Sequence, residues 1–353
     1  MRALCLVGMC VAASTLHAQS PELPPAPGRL IDVDGRRLHI LCSGSGSPTV
    51  VLEAGASSFA IDWTLVQREL AATTRVCSYD RAGMGWSDAG TLESRVSTAR
   101  DLHRLLRAAG ERPPYVLVGA SRGGLFIRAY QADHPSDVVG MVFVDPSTEE
   151  RLLTVIEGRT VPIARVTAQE LRATNPTTPV AVPRRRPQSG EPFDRLPPEL
   201  YRLRIMLDEK LIASVPDTVG PEIIAVARES ERQFLARLDS LRGATGYPLA
   251  SLPTVVLSRG GDPNPDREAA HAGVARLSTN SYHCIVAGAG HEIHLFEPGA
   301  VVKAIRHVVD AAREGGRLPA GGCGTDRAAA PRLEQRDALP SRAASGDTGL
   351  RLQ

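Results

Sequence analysis

Short runs of β-branched and aliphatic residues alternate along this chain with longer stretches whose apolar positions recur every three or four residues. The short runs lie at 29–33, 37–42, 49–53, 75–79, 115–119, 138–144, 254–258 and 281–287. Several of them, TVVLE, MVFVD and TVVLS among them, are almost continuously apolar, which predicts strands covered on both faces. Between them, Trp63, Val66 and Leu70 stand at helical spacing behind Asp62, a candidate N-cap. Leu102, Leu105, Leu106 and Ala109 form a second stripe, with Ser97 before it and Gly110 after it. This alternation predicts an α/β fold: a mostly parallel central sheet of eight strands, reached by right-handed crossovers, with helices on both faces. The turn Val33-Asp34-Gly35-Arg36 predicts that the first two strands form an antiparallel hairpin at one edge.

Between Asp145 and Thr254 the rhythm stops for about 100 residues, far more than a connection in a compact domain requires. The expected organisation is a discontinuous core, 28–147 and 246–323, with a helical cap inserted over 148–245 after the sixth strand. Two helices are predicted in the cap, at 198–212 and 222–241, preceded by an irregular, solvated Pro- and Arg-rich loop. The first 18 residues hold one charge, Arg2, an apolar stretch and a small-residue end at Ala18, which reads as a secretory signal peptide. Its apolar run falls short of the roughly 20 residues of a spanning helix, so no integral membrane span is expected after its removal. A Pro-rich spacer follows at 19–27, and residues 324–353, poor in apolar side chains, are expected to be disordered.

Composition narrows the partners. A chain of 353 residues, 42% hydrophobic and 23% charged, is globular, and 41 basic against 39 acidic residues leave a net charge of +2. That balance offers no electrostatic footprint for nucleic acid. The lysines are Lys210 and Lys303 alone, and the bias toward Arg, Ala, Gly and Pro points to a bacterial source; the N-terminal signal then makes the expected product secreted or periplasmic. Outside the leader, which holds Cys5 and Cys10, the cysteines are Cys42, Cys77, Cys284 and Cys323. An even number in an exported chain permits two disulfides, in any of three connectivities. Their spacing fits neither a metal site nor a C-x-x-C pair.

The chemistry centres on YVLVGASRGGLFIRAY, which sets Gly119-Ala120-Ser121-Arg122-Gly123 between an apolar strand and an apolar-periodic helix. This is the context of a nucleophile elbow, where a sharp turn strains the serine backbone and small residues are needed two positions to either side. A hydroxyl needs a base and the base an orienting carboxylate, in the order Ser, acid, His for this architecture. His291, in VAGAGHEIHLFEP after the last strand, is the candidate base, and Asp262, in TVVLSRGGDP after the preceding strand, the candidate acid. Asp145, at the end of MVFVDP, is the alternative acid. The oxyanion donors expected are the backbone N–H groups of Arg122 and of Ala56, the latter in VVLEAGASS. His294 reads as a substrate-side or structural group; His271, His283 and His307 read as surface or packing histidines.

Together these residues resemble the α/β-hydrolase superfamily, specifically its lid-bearing serine hydrolases, over about 28–315. TRVCSYDRAGMGWSD is similar to the loop after the fourth strand in those enzymes, and GHEIHLFEP to their histidine loop. In the family the Asp80-Arg81-Gly83-Gly85 corner is structural. Where relatives often carry His-Gly, this chain has Ala54-Gly55. The resemblance implies an α/β-hydrolase fold and an acyl-enzyme route, because Ser stands where epoxide- and halide-processing relatives have Asp. The implied activity is hydrolysis of a carboxylic ester or related acyl bond of a small molecule, with no metal or organic cofactor. An aminopeptidase or amidase of the same fold is the alternative, and a non-catalytic binding protein on the same scaffold is the reading from another class. The family's strand order sets the second strand beside the fourth, which implies a Cys42–Cys77 disulfide; Cys284–Cys323 would then tie down the C-terminal segment.

Overall fold

A computed structural model describes residues 23–90, 98–245 and 248–319. The chain enters as a hairpin of β1 (Arg29–Val33) and β2 (Arg36–Ser43), closing with Val33 opposite Arg36. Asp34 and Gly35 take φ of 54° and 78°, the turn handedness that matches strand twist. There follow β3 (Thr49–Glu53), α1 (Thr64–Leu70), β4 (Val76–Tyr79), α2 (Thr98–Ala108), β5 (Tyr115–Ala120), α3 (Gly123–Asp133) and β6 (Val138–Val144). The insertion contributes β7 (Leu153–Ile156), β8 (Arg159–Pro162), α4 (Ala168–Ala173), β9 (Val180–Ala181), α5 (Pro198–Ser214), β10 (Thr218–Val219) and α6 (Pro221–Thr245). The core resumes with β11 (Thr254–Arg259), α7 (Pro265–Ala275), β12 (Ser281–Val286), α8 (Ile293–Phe296) and α9 (Pro298–Glu314).

Eight strands form one sheet in the order β1-β2-β4-β3-β5-β6-β11-β12, parallel from β4 onward. The period of two along a strand explains why the central runs are apolar throughout. β5 sends Tyr115 and Leu117 into a core shared with Leu102, Leu105 and Tyr130, and Val116, Val118 and Ala120 into another shared with Trp63, Leu70 and Ile305. Each such burial of a Val or Leu side chain contributes about 1.5–3 kcal/mol relative to exposure. The sheet that carries the loops of interest is thus clamped from both sides.

Cys42 and Cys77 sit directly opposite each other in the antiparallel β2–β4 pair and form a disulfide that closes a sequence separation of 35 residues. Such a closure restricts the unfolded chain far more than the native one. Replacing both cysteines by alanine is expected to lower stability by about 2–4 kcal/mol, read as a fall in the urea midpoint with a steeper slope, because the uncrosslinked chain exposes more surface on unfolding. An unchanged midpoint would show that the β-ladder alone holds these strands. Cys323, the expected partner of Cys284, lies outside the described residues, as do the leader over 1–18, the tail over 324–353 and Ser97.

Two local expectations change. Asp62 is not the N-cap of α1: it lies inside a 3₁₀ turn over Ala60–Trp63 and accepts from the Phe59 amide at 3.0 Å. The insertion is not helices alone, for β7 and β8 pair as a hairpin and β9 pairs with β10. The exposed face of that hairpin, Leu153 and Val155, has the alternation of a strand, but Glu157-Gly158 at its turn was hidden among charged neighbours. Helix α5 is anchored to the core by Arg204, fully buried 3.2 Å from Asp62 and packed over the Phe59 and Phe193 rings at 5.0 and 4.2 Å. Burial pushes the Asp62 carboxyl up to about 7 despite the Arg204 charge. Among the described residues no helix is long and apolar enough to cross a membrane.

Candidate active site

The turn from β5 into α3 holds Ser121 at φ 50°, a left-handed conformation that costs a non-glycine residue of order 1–3 kcal/mol. Hydrogen bonds to the neighbouring strand hold it there: the Ser121 amide donates to the Val144 carbonyl at 2.9 Å, and the Ser147 amide donates to the Ser121 carbonyl at 2.8 Å. The turn is tight enough that a Cβ at Gly119 would stand 2.6 Å from the Gly123 carbonyl, and one at Gly123 would stand 2.6 Å from the Glu53 carbonyl oxygen. The loop after β3 passes alongside, since a Cβ at Gly55 would meet the Ser121 Cβ at 3.4 Å. Ala56 follows on that loop and is exposed, and Arg122 supplies one of the N-terminal amides of α3, where the helix dipole favours negative charge.

His291 meets Asp145. Its Nδ1 lies 2.6 Å from Asp145 Oδ2, so the imidazole donates through Nδ1 and keeps Nε2 as its acceptor. Asp145 directly follows β6 and is itself in the left-handed region, φ 42°, with its amide donating to the Leu257 carbonyl on β11. Its carboxylate is almost fully buried and also accepts from the Arg259 amide and Arg259 Nη1, each at 3.1 Å. Burial disfavours that charge, but the hydrogen bonds from His291 and the Arg259 amide, with the charges of both residues, outweigh it and hold the carboxyl below the ordinary range. The Asp145 hydrogen bond raises the His291 pKa above its usual value against the opposing effect of burial; nearby Glu292 adds to the rise and Arg259 works against it.

Asp262, the expected partner of His291, does not meet it. β11 ends at Arg259, and Gly260 and Gly261 then bond to the carbonyls of Val286 and Ala289, carrying the chain outward before Asp262 is reached. Its side chain is 64% exposed and pairs with Arg259 Nε at 2.7 Å and Arg267 Nη1 at 3.4 Å. The Arg259 hydrogen bond holds the Asp262 carboxyl below its ordinary range. Arg259 therefore links the two candidate acids, and sequence reasoning overlooked it. The available signal was that Arg259 stands at the end of the strand that precedes Asp262.

His294, His271 and His307 are each held by neighbouring groups. His294 is fully buried, stacked on Trp63 at 4.4 Å, and burial lowers it to about 4. His271 is buried between the Ser258 hydroxyl and the Pro146 carbonyl, at 2.6 and 2.8 Å, and burial likewise lowers it to about 4. Tyr282 and His307 hydrogen-bond at 2.8 Å.

A cavity of about 540 Å³ opens beside the elbow, walled by Ala56, Arg122 and Phe126 from the core and by Leu211 and Val215 from the end of α5. Its size suits a small organic molecule. The Arg122 side chain reaches across to Glu231 on α6, so core and insertion meet at its rim. Among the described residues, two groups of side chains each bring three potential cation ligands within 4.8 Å of one another. In one, Cys42 and Cys77 are spent on the disulfide; the other, His103, His134 and Asp137, lies at the far end of α3 from the elbow, its imidazoles stacked at 3.8 Å and the Tyr130 hydroxyl bonded to His103 and Asp137.

Comparison with known proteins places this architecture. The chain is 39% identical over 129 residues to "Probable transporter efuK" of Hormonema carpetanum, covering 34% of this chain and 18% of that one. It is 38% identical over 108 residues to an AB hydrolase superfamily protein of Gibberella zeae, covering 29% of this chain and 34% of that one. The chain thus spans about a third or less of the length of these curated relatives. In three dimensions it resembles a thermophilic esterase from Thermogutta terrifontis, with a TM-score of 0.52 and 22% identity over 80% of this chain and 97% of the other. The profile of the alpha/beta hydrolase family matches residues 40–304, and the chain belongs to that family.

Proposed function

We propose that this chain is an exported serine hydrolase that cleaves a carboxylic ester or related acyl bond through an acyl-enzyme at Ser121. The observation that carries the reading is the pairing of a strained elbow serine with a His291 imidazole already oriented by a buried carboxylate on the adjacent strand end. In the proposed mechanism Ser121 Oγ attacks the carbonyl carbon while His291 Nε2 takes its proton. The negative charge that develops on the carbonyl oxygen is met by the N–H groups of Ala56 and Arg122. Collapse of the tetrahedral intermediate breaks the acyl–oxygen bond, and His291 returns the proton to the departing alcohol. Water then attacks the acyl-enzyme by the same route, releasing the acid and restoring Ser121. Asp145, rather than Asp262, is assigned as the group that fixes the tautomer and stabilises the imidazolium. The insertion over 148–245 is proposed as a lid that shapes the cavity and limits water. A disulfide fits an oxidising compartment and so supports export.

A fluorophosphonate probe tests the reading directly. The label is expected on the peptide containing Ser121, together with turnover of chromogenic acyl esters; a panel of amino-acid arylamides run in parallel reports any amidase or aminopeptidase activity. A chain that takes no label and turns over neither class would instead be a binding protein on a hydrolase scaffold.

The base must be neutral to act, so kcat/KM is expected to rise with pH through the His291 pKa, at a midpoint above the ordinary imidazole value. The Asp145 charge favours the imidazolium, and the Arg259 charge disfavours it. Replacing Arg259 with methionine is therefore expected to move the acid limb to still higher pH. A midpoint that stays put or falls in the pH profile would remove Arg259 from the electrostatics of the base.

A further inference from the structure

We propose that Arg81 is a positioning residue that sets the oxyanion loop by holding its carbonyls; this deepens the reading of Ser121 as an acyl-transfer nucleophile and rests on it. The Arg81 guanidinium is 11% exposed and lies along the loop that follows β3. Nη1 donates to the Ala54 carbonyl at 2.7 Å, while Nη2 donates to the Gly55 carbonyl at 2.5 Å and to the Ala56 carbonyl at 3.3 Å. Three consecutive carbonyls of an irregular segment are thus gathered on one cation. The fork itself is held from behind by Glu53, whose Oε1 accepts from Nη1 at 2.5 Å, and by the Phe126 ring at 5.4 Å from Cζ. Glu53 is fully buried and also accepts from the Tyr79 hydroxyl; burial raises its pKa, against the pull of the Arg81 charge.

The consequence follows from peptide planarity. In a trans peptide the C=O of one residue and the N–H of the next point in opposite directions across one rigid plane. The Gly55 carbonyl and the Ala56 N–H share such a plane, so fixing the carbonyl on Arg81 fixes the N–H on the opposite side. The Ser58 amide donates to the same Gly55 carbonyl at 3.3 Å, closing the turn from the other end. Gly55 also lies against Ser121, its ideal Cβ 3.4 Å from the Ser121 Cβ, so the braced peptide borders the nucleophile. Arg81 thus acts through the backbone: it touches no reacting atom, yet it determines where the Ala56 N–H aims. Oxyanion stabilisation depends on donors fixed before charge develops, so this role is felt in the transition state more than in substrate binding. An arginine suits it because a planar fork can serve several acceptors at once, which a point-charge ammonium does less well. Ala54 carries no polar side chain that could order the loop in its place, which gives the brace a purpose.

The test compares Arg81→Lys, which keeps the cation beside Glu53 but loses the fork, with Glu53→Gln/Arg81→Met, which removes both members of the pair and leaves no buried charge alone. Both are assayed on the best ester of the panel after thermal melting confirms folding, alongside wild type and Ser121→Ala. Expected are falls in kcat of about 10-fold for the lysine variant and about 100-fold for the double variant, with KM within about threefold of wild type. The affinity of an acyl trifluoromethyl ketone, which forms an oxyanion on Ser121, should fall in parallel with kcat/KM. The midpoint of the acid limb should not move, because His291 and Asp145 are untouched. A folded Arg81→Lys enzyme with wild-type kcat, or one whose loss lies wholly in KM, overturns the proposal even if the double variant fails to fold. Activity that survives in Ser121→Ala would instead sink the reading of the site itself, so the two failures are distinguishable.

Discussion

Ser121→Ala is expected to lower kcat for ester hydrolysis by roughly 10⁴- to 10⁶-fold, the range seen when the nucleophile of a serine hydrolase is removed. The residual rate should come from the cavity and the oxyanion donors acting on a water molecule. KM should change little, because the serine hydroxyl contributes its interaction mainly once the bond to the carbonyl carbon begins to form. Stability should not fall and is expected to rise or stay level. Ser121 is held at φ 50° by its neighbours, and alanine there suffers the same strain, so the backbone cost is unchanged. What the substitution removes is a hydroxyl facing a site built for chemistry. The measurements are initial rates across the ester panel, loss of fluorophosphonate labelling and a thermal melt. An alanine variant that keeps a tenth or more of wild-type kcat would mean that another group carries the reaction.

The elbow was legible in the sequence because several requirements coincide within five residues. Gly119 and Gly123 are needed by contacts of 2.6 Å, and an apolar strand and helix on either side fix the orientation of the turn between them. That helices cover both faces of the sheet was legible for a similar reason, since runs such as TVVLE are apolar throughout, whereas the strand order came only with the family resemblance. Which carboxylate meets His291 was not legible. Asp145 and Asp262 both follow strands that end beside each other in the sheet, and periodicity says nothing about which one turns inward. What separates them is local. Asp145 comes immediately after the last residue of β6 and bends back in a left-handed turn tied to β11, whereas Gly260 and Gly261 carry Asp262 out toward solvent. A short linker keeps a carboxyl over the sheet, and a long one releases it. The role of Arg81 was equally hidden, because its partners are backbone carbonyls, and a carbonyl leaves no mark in a sequence.

That difference sets up the second large effect, in which two substitutions of the same kind differ widely in magnitude. Asp145→Asn is expected to lower kcat by about 10³- to 10⁴-fold, in line with loss of the orienting carboxylate in serine-protease triads. The amide can no longer accept a charged hydrogen bond from His291 Nδ1, so the imidazole loses both its fixed tautomer and the stabilisation of its cationic form. The sign for pH follows: Asp145 raises the His291 pKa, so its replacement by a neutral group should move the acid limb of kcat/KM to lower pH while the plateau collapses. Asp262→Asn should behave otherwise. Asp262 is 64% exposed and touches the site through Arg259 and Arg267, so solvent screens its charge and the change in rate should be less than about fivefold. With Asp262 neutral, the Arg259 charge is less compensated and opposes the imidazolium more strongly, so any shift of the acid limb should be small and also toward lower pH. The two variants, measured as full pH–rate profiles, separate the roles by magnitude: collapse for Asp145 and a near-native plateau for Asp262. The reverse pattern, with Asp262→Asn inactive and Asp145→Asn active, would require the histidine loop to move the imidazole off Asp145 during turnover, and the acid assigned here would be the wrong one.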